Sequence, residues 1–330
     1  MNVQGWPSSQ ASGSMEYGNS QVIVIRDLRK YYGRSRGVEK VNLTVREGEI
    51  FGFLGPNGAG KTTTIRTMID CIRPTSGSIR VLGKDPVKEG ARIRREIGYL
   101  PSDFSMEGRM SARNYLNFLL GMMDHTGEDR IEELAGRFEL DLDKRIKDFS
   151  RGNRQKVGIV SAFMHDPKLL IMDEPTTGLD PLMQQEFYRL VLEEKKRGVT
   201  IFLSSHILSE VDAVCDKVGV IREGEVVAVE TIEKFKEKTG QLMRVKFEKM
   251  PDKDLFQGIE GISDVKVLDD ETLQLTVFSN VDAVVKELAN HTIRKLTFDE
   301  TSMEHVFLKY YGKQEVRNRE NAPVDKGAGS

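Results

Sequence analysis

The sequence predicts an α/β protein built on a mostly parallel core sheet, and three stretches carry that expectation. Gly55-Pro56-Asn57-Gly58-Ala59-Gly60-Lys61-Thr62-Thr63 is a glycine-rich loop between a short apolar strand, Ile50–Leu54, and a helical segment, Thr62–Ile72. Leu169-Leu170-Ile171-Met172 and Val199-Thr200-Ile201-Phe202-Leu203 are apolar runs of the kind found in strands buried on both faces of a parallel sheet. Segments of helical spacing alternate with these strands.

In chain order, residues 1–20 are rich in Ser, Gly, Asn and Gln and read as a disordered leader, with Met15 a candidate natural start. Val22–Ile25 is a strand, Arg26–Gly33 leads to a turn, and Val41–Val45 alternates as a half-buried strand does. Past the glycine-rich loop and its helix, Arg73–Ser78 is a turn and Ile79–Leu82 a strand. Arg92–Glu96 reads as a short helix, and Ile97–Leu100 as a strand stopped by Pro101. From Ser111 to Asp148 helical spacing dominates, with Tyr115, Leu116, Leu119, Leu120 and then Ile131, Leu134, Ala135, Phe138 as core stripes. Ser150 caps a helix that runs to about Met164 and is broken by Asp166-Pro167. Leu182–Lys196 and Ile207–Asp216 are helices, and Val218–Ile221 with Glu225–Val229 forms a hairpin turning at Glu223-Gly224.

Composition narrows the class. The 330 residues suffice for one large domain or two smaller ones, and 30% charged with 38% hydrophobic residues is the balance of a globular protein. A net charge of −2 gives no basic field, so nucleic acid is not an expected partner. The two cysteines, Cys71 and Cys215, are far apart and form no metal-ligand spacing. No apolar run is long enough to span a bilayer, so at a membrane another chain would do the spanning.

The glycine-rich loop matches the pattern Gly, four residues, Gly-Lys-Ser/Thr. Glycines let the backbone come close to a phosphate, and successive amides with the next helix N-terminus face the anion. Lys61 is then placed for the β- and γ-phosphates of a nucleoside triphosphate, and the Thr62 hydroxyl for Mg²⁺. A second constellation is Asp173-Glu174, two carboxylates ending a buried strand, where a positive partner such as Mg²⁺ is required or the pair is a solvated turn. Neighbouring strand residues face opposite ways, so Asp173 can serve the metal and Glu174 can act as general base on water. His206 ends the next strand of the same type, where parallel sheets bind ligands. Tyr31 and Tyr32 are either half-buried packing or a platform for an adenine ring.

Taken together, the phosphate loop, Ser150–Lys156, Asp173-Glu174, Gly178-Leu179-Asp180 and His206 resemble, over residues 21–230, the nucleotide-binding subunit of an ATP-binding cassette (ABC) transporter. The resemblance implies a P-loop NTPase cassette with an antiparallel β subdomain and a helical subdomain at about 102–165. It implies ATP and Mg²⁺ as cofactors, with Gly55, Pro56, Asn57, Gly58, Ala59, Gly60, Lys61, Thr62 and Thr63 on the phosphates. Tyr32, in Lys30-Tyr31-Tyr32-Gly33, matches the adenine-stacking aromatic. Thr62 and Asp173 match the metal positions, Glu174 and His206 the catalytic pair, and Asp180 the loop that links two sites. Ser150, Arg151, Gly152 and Asn153 match the signature that faces the γ-phosphate held by a second subunit.

Two departures from the family pattern matter. The signature, usually Leu-Ser-Gly-Gly-Gln, reads Phe149-Ser150-Arg151-Gly152-Asn153. Ser102 stands where the family has a glutamine that senses Mg²⁺, and serine is too short for that span. The segment after 230 resembles the small α+β domain of exporter-type cassettes of the drug-resistance and polysaccharide-export kind. In it Gln241–Phe247, Val265–Leu268, Thr272–Val277 and Ile293–Phe298 read as strands, and Val281–Ala289 and Ser302–Tyr311 as helices. Domain limits of 21–230 and 231–312 follow, with a polar tail at 313–330. The implied function is an ATPase subunit powering a membrane exporter from the cytoplasmic face of the membrane. Its implied partners are transmembrane permease subunits and a second copy or a homologous ATPase subunit. The alternatives are a soluble cassette ATPase acting on ribosomes or DNA, and a non-hydrolysing regulatory subunit suggested by Ser102 and Arg151.

Overall fold

A computed structural model describes residues 21–104, 109–123, 128–239 and 241–299. Nine strands form one sheet: β1 (Gln21–Tyr32), β2 (Ser35–Arg46), β3 (Ile50–Leu54), β4 (Ser76–Val81), β5 (Ile97–Leu100), β6 (Leu169–Asp173), β7 (Thr200–Ser205), β8 (Lys217–Arg222) and β9 (Glu225–Thr231). Their order is β4-β1-β2-β9-β8-β3-β7-β6-β5. The segment from β8 through β3, β7 and β6 to β5 is parallel, whereas β4, β1 and β2 pair antiparallel, as do β8 and β9. The predicted parallel core and antiparallel part are therefore hydrogen-bonded into one sheet, joined where Lys40 of β2 meets Glu225 of β9.

Alternation sorts the core strands onto two faces. Ile50 and Leu54 of β3, Leu170 and Met172 of β6, and Ile201 and Leu203 of β7 pack in one core. With them lie α3 (Ala112–Met122), α4 (Glu128–Arg137), α5 (Arg151–Phe163), α6 (Pro181–Lys196) and α7 (Leu208–Val214). Phe51 and Phe53, Leu169 and Ile171, and Phe202 face the other way, toward β1, β2, α1 (Lys61–Met68) and α2 (Pro86–Glu96). On that face Phe51 stacks on Phe202 with ring centroids 5.7 Å apart. The next outward step on the same face of β6 is Asp173, and on β7 it is Ser204, so the strand period alone aims these two polar groups at α1.

Several elements differ in extent from the sequence reading. β1 and β2 each run 12 residues instead of four or five, so Tyr31 and Tyr32 lie in a strand and not between strands. The helix expected to reach Ile72 stops at Met68, because Asp70 adopts φ 60° and the amides of Asp70 and Cys71 close back on Thr67 and Arg66, a Schellman-type end. α2 starts at Pro86, not Arg92, with Asp85 capping Val87 N at 3.0 Å and proline in the first turn. The Ser111–Asp148 segment resolves into α3, α4 and a 3₁₀ turn at Ile146–Asp148. A helix α8 (Ile232–Thr239) was not anticipated.

The C-terminal strands β10 (Gln241–Phe247), β11 (Ile262–Asp269), β12 (Thr272–Val277) and β13 (Ile293–Asp299) make a separate four-stranded antiparallel sheet in the order β11-β12-β10-β13. α9 (Asp254–Gln257) and α10 (Val281–Leu288) close its own core around Phe247, Phe256, Leu275 and Leu288. The expected helix at Ser302–Tyr311 lies outside the described residues, as do the leader and the tail.

Candidate nucleotide site

The glycine-rich loop leaves β3 and turns into α1 through a space that side chains would fill. A Cβ on Gly55 would stand 2.4 Å from Ile221 O, and Gly60 holds φ +110° with Gly37 O only 2.8 Å from its own Cβ position. Residues other than glycine pay for such a backbone or cannot enter it. Lys61 opens α1, and its buried ammonium curls over the loop, donating to Gly55 O at 2.6 Å and Pro56 O at 3.2 Å. It also pairs with Glu174 Oε1 at 3.1 Å, an oxygen with no hydrogen-bond partner among the described residues.

Asp173 is fully buried, and both of its oxygens are held by hydroxyls. Thr62 Oγ1 donates to Oδ2 at 2.7 Å and Ser204 Oγ donates to Oδ1. Glu174 leaves the strand with φ 52°, unusual for a non-glycine residue and a recurrent mark of functional turns. Its amide is anchored on Ser204 O and Oγ, each at 3.2 Å. Its Oε2 is 2.7 Å from His206 Nδ1. With the carboxylate as acceptor, the Nδ1–H of His206 is the donor in this contact. Lys61, Thr62, Asp173, Glu174, Ser204 and His206 thus converge from three parallel strands onto the start of α1.

At the rim, Tyr32 is 47% exposed, with Lys30 Nζ 5.1 Å from its ring centroid. Tyr31 instead commits its hydroxyl to Glu39, whose hydrogen bond and charge push the phenol above its ordinary value. The free ring is therefore Tyr32. Gly37 lies between it and the loop: a Cβ there would stand 2.8 Å from Tyr32 Cε2 and 3.1 Å from Thr63 Cγ2. Tyr99 of β5 also borders the site. Burial first, then the Asp173 charge, pushes its phenol up to about 12, and Arg66 lies beside it. Ser102, three residues on, makes no hydrogen bond to Thr62 or Asp173 among the described residues.

The signature residues lie elsewhere. Ser150 caps α5 by accepting from Asn153 N at 3.2 Å. Gly152 abuts the loop after Glu174 so closely that a Cβ would sit 2.6 Å from Gly178 O, and Gln155 Nε2 donates to Pro175 O at 2.8 Å. Asp180 caps α6, accepting from Leu182 N and Met183 N at 3.1 and 3.0 Å. Among the described residues, Ser150–Asn153 make no hydrogen bond or ion pair to the phosphate loop of their own chain. Ser204 and Gly37 were not singled out from sequence. Ser204 stood in plain view between a buried strand and His206, whereas nothing local marks Gly37.

The donor set suits a small hard cation. Thr62 and Asp173 offer oxygen only, and the charges of Asp173, Glu174 and Lys61 leave one negative charge over. Among the described residues no group of three or more His, Cys, Asp or Glu side chains gathers to hold a metal ion by itself; a cation of the Mg²⁺ kind takes few protein oxygens and completes its shell with others, and Thr62 with Asp173 fits that need.

Known proteins resemble this chain in sequence and fold. The family model described as ABC transporter matches residues 38–177. The chain is 34% identical over 304 residues to the bacitracin transport ATP-binding protein BcrA of Bacillus licheniformis, covering 89% of this chain and 98% of that one. It is 41% identical over 198 residues to the ABC transporter ATP-binding protein NatA of Bacillus subtilis, covering 58% and 80%. A solved ATP-binding subunit of an ABC transporter superimposes with a TM-score of 0.60 at 32% identity, over 65% of this chain and 91% of that one. The dimeric bacterial cassette MJ0796, at 23% identity and a TM-score of 0.57, shares the fold. With a relative matched along nearly its whole length and a site of this composition, the chain belongs to the ABC transporter family, as an ATP-binding subunit.

Proposed function

We propose that this chain is the ATP-hydrolysing motor of a membrane exporter and that Lys61, Glu174 and His206 are its working centre. The contact of one carboxylate, Glu174, with both Lys61 and His206 carries the reading. Tyr32 offers the adenine a flat surface, and Gly58, Gly60 and the first amides of α1 face the phosphates. An arriving triphosphate gives Lys61 a stronger partner than Gly55 O and Pro56 O, and drawing it away releases Glu174 Oε1. Glu174 then takes a proton from water as the water oxygen attacks the γ-phosphorus; the bond to the β-γ bridging oxygen breaks, leaving ADP and phosphate. His206 holds Glu174 in orientation and presents Nε2 toward the γ-phosphate. Thr62 and Asp173 would hold Mg²⁺, which neutralises charge building on the phosphate oxygens.

The signature supports a shared site. Ser150 and Gly152 make no hydrogen bond or ion pair to the chain's own phosphate loop among the described residues, and in this reading they serve the γ-phosphate of a second copy or a homologous ATPase subunit. Among the described residues no helix is long and apolar enough to cross a membrane; in this reading the motor acts on separate transmembrane permease subunits from the cytoplasmic face. We assign the motor to 21–230, with the helical part at about 102–165, and the accessory domain to 231–312. The relatives' names speak for transport rather than for ribosomes or DNA.

Glu174→Gln tests the reading. It removes the base and keeps the shape, so hydrolysis falls about a hundred- to a thousandfold while ATP still binds. Wild-type turnover in that variant would sink the role of Glu174.

A further inference from the structure

One buried acid in the neighbourhood has no part in the chemistry described above. Glu210, on α7, is 7% exposed, and both carboxylate oxygens accept hydroxyl hydrogen bonds: Thr176 Oγ1 donates to Oε1 and Ser205 Oγ to Oε2. The two donors come from different arms of the site. Thr176 is two residues beyond Glu174, on the loop whose Pro175 O is held by Gln155. Ser205 directly precedes His206. Its hydroxyl also accepts from Ile207 N at 2.9 Å, bracketing the histidine, and its carbonyl accepts from Gly55 N at 3.1 Å, the first residue of the phosphate loop.

We propose that Glu210 is a positioning residue for hydrolysis: it clamps the Glu174–Thr176 loop to the Ser205–Ile207 segment and so sets the 2.7 Å contact between Glu174 Oε2 and His206 Nδ1. The inference rests on the roles proposed above for Glu174 and His206. A buried carboxylate with no cation is costly, and two hydroxyls aimed at it offset that cost only while both arms stay in place. Both hydroxyls donate to the carboxylate, and the Ser205 hydroxyl also has Ile207 O within 3.3 Å as a second acceptor. A clamp of this kind acts on catalysis more than on binding, since Tyr32 and the glycine loop hold ATP without it.

The test is steady-state hydrolysis and ATP affinity of the full-length chain carrying Glu210→Ala, Glu210→Gln, Thr176→Val and the Thr176→Val/Glu210→Ala pair. Glu174→Gln is run beside them. Loss of positioning by about an ångström costs on the order of tenfold to a hundredfold in rate, so Glu210→Ala is expected to lose that much kcat with Kd for ATP within about twofold of wild type. Glu210→Gln keeps an acceptor for Thr176 and turns an amide donor toward the Ser205 oxygen, so it recovers to within a few-fold of wild type. Thr176→Val falls in the same direction, and the pair is no worse than Glu210→Ala alone, the mark of one shared interaction. Glu210→Ala turning over at the wild-type rate overturns the proposal. So does Glu210→Gln as impaired as Glu210→Ala, which would leave only the charge in play. Should Glu210→Ala fail to fold, Glu210→Gln and Thr176→Val decide the matter. Undiminished hydrolysis by Glu174→Gln would remove the reading beneath the proposal, an outcome separate from any result at Glu210.

Discussion

Gly37 has no side chain, and that vacancy is where Tyr32 meets the phosphate loop. An added methyl would overlap the Tyr32 ring at 2.8 Å and crowd Thr63 Cγ2 and Lys30 O at 3.1 Å, so something must shift, and the exposed ring is the freest to go. Overpacking of this sort costs about 1–3 kcal/mol, and here it falls on the proposed adenine platform rather than on the residues proposed for the chemistry. Gly37→Ala should therefore raise KM for ATP roughly threefold to thirtyfold with kcat unchanged, while Tyr32→Phe stays near wild type. Titration with a fluorescent ATP analogue checks the binding half; a fall in kcat with KM unchanged would contradict the placement. Residues like Gly37 and Glu210 were not legible in the sequence, because their roles come from contacts with parts of the chain far away in number. That Lys61, Thr62, Asp173, Glu174 and His206 come together was legible because each sits in a contiguous motif next to a strand whose burial the apolar run announces.

At the scale of elements, the buried strands β3, β6 and β7 could be read closely, since residues hidden on both faces leave an unbroken apolar run. β1 and β2 were underestimated because their outer halves carry Arg26, Asp27, Arg29, Lys30, Arg36 and Glu39, and a strand with solvent on one side and a break at Asp27 (φ 47°) loses its clean alternation. Nor does sequence show which helices are fastened together. Arg130 and Arg137 of α4 reach across to α6, where Arg130 meets Glu194 and Arg137 meets Glu186 at 2.6 Å and Glu193. Glu194 is 2% exposed, and its other cation, Arg197 at 2.9 Å, is half in solvent. Removing one member of a buried pair strands the other charge, at about 3–5 kcal/mol when no second partner exists. With Arg197 remaining, Arg130→Met is expected at the low end, about 2–3 kcal/mol, read as a lower urea midpoint with an unchanged slope. The Arg130→Met/Glu194→Met pair should recover much of the loss. No shift in Arg130→Met would mean that Arg197 alone satisfies Glu194.

The whole molecule raises the question of how half a site becomes a complete one. The signature at Ser150–Asn153 is packed through Gly152 against Gly178, and the loop holding Gly178 begins at Glu174 and ends at the α6 cap Asp180. In the shared site proposed above, a phosphate drawn onto Ser150 from a second chain would press on the same segment that carries Glu174, and the two sites would be coupled through it. Closure of the proposed pair would need a γ-phosphate held firmly enough to bridge two chains, and Lys61 is the cation proposed to hold it. Sized with ATP, the Glu174→Gln chain is expected to run as a dimer, because it binds and does not hydrolyse. Adding Lys61→Ala to that background removes the hold on the phosphate, so the double variant should stay monomeric at ATP concentrations that saturate the single one. Charge-assisted bonds of this type are worth about 1.5–3 kcal/mol each, and a symmetric dimer loses two of them, so the dimerisation constant should weaken on the order of a hundredfold or more. Light scattering at matched protein concentration measures it; a double variant dimerising with ATP as well as Glu174→Gln alone would show that Lys61 is not what closes the pair.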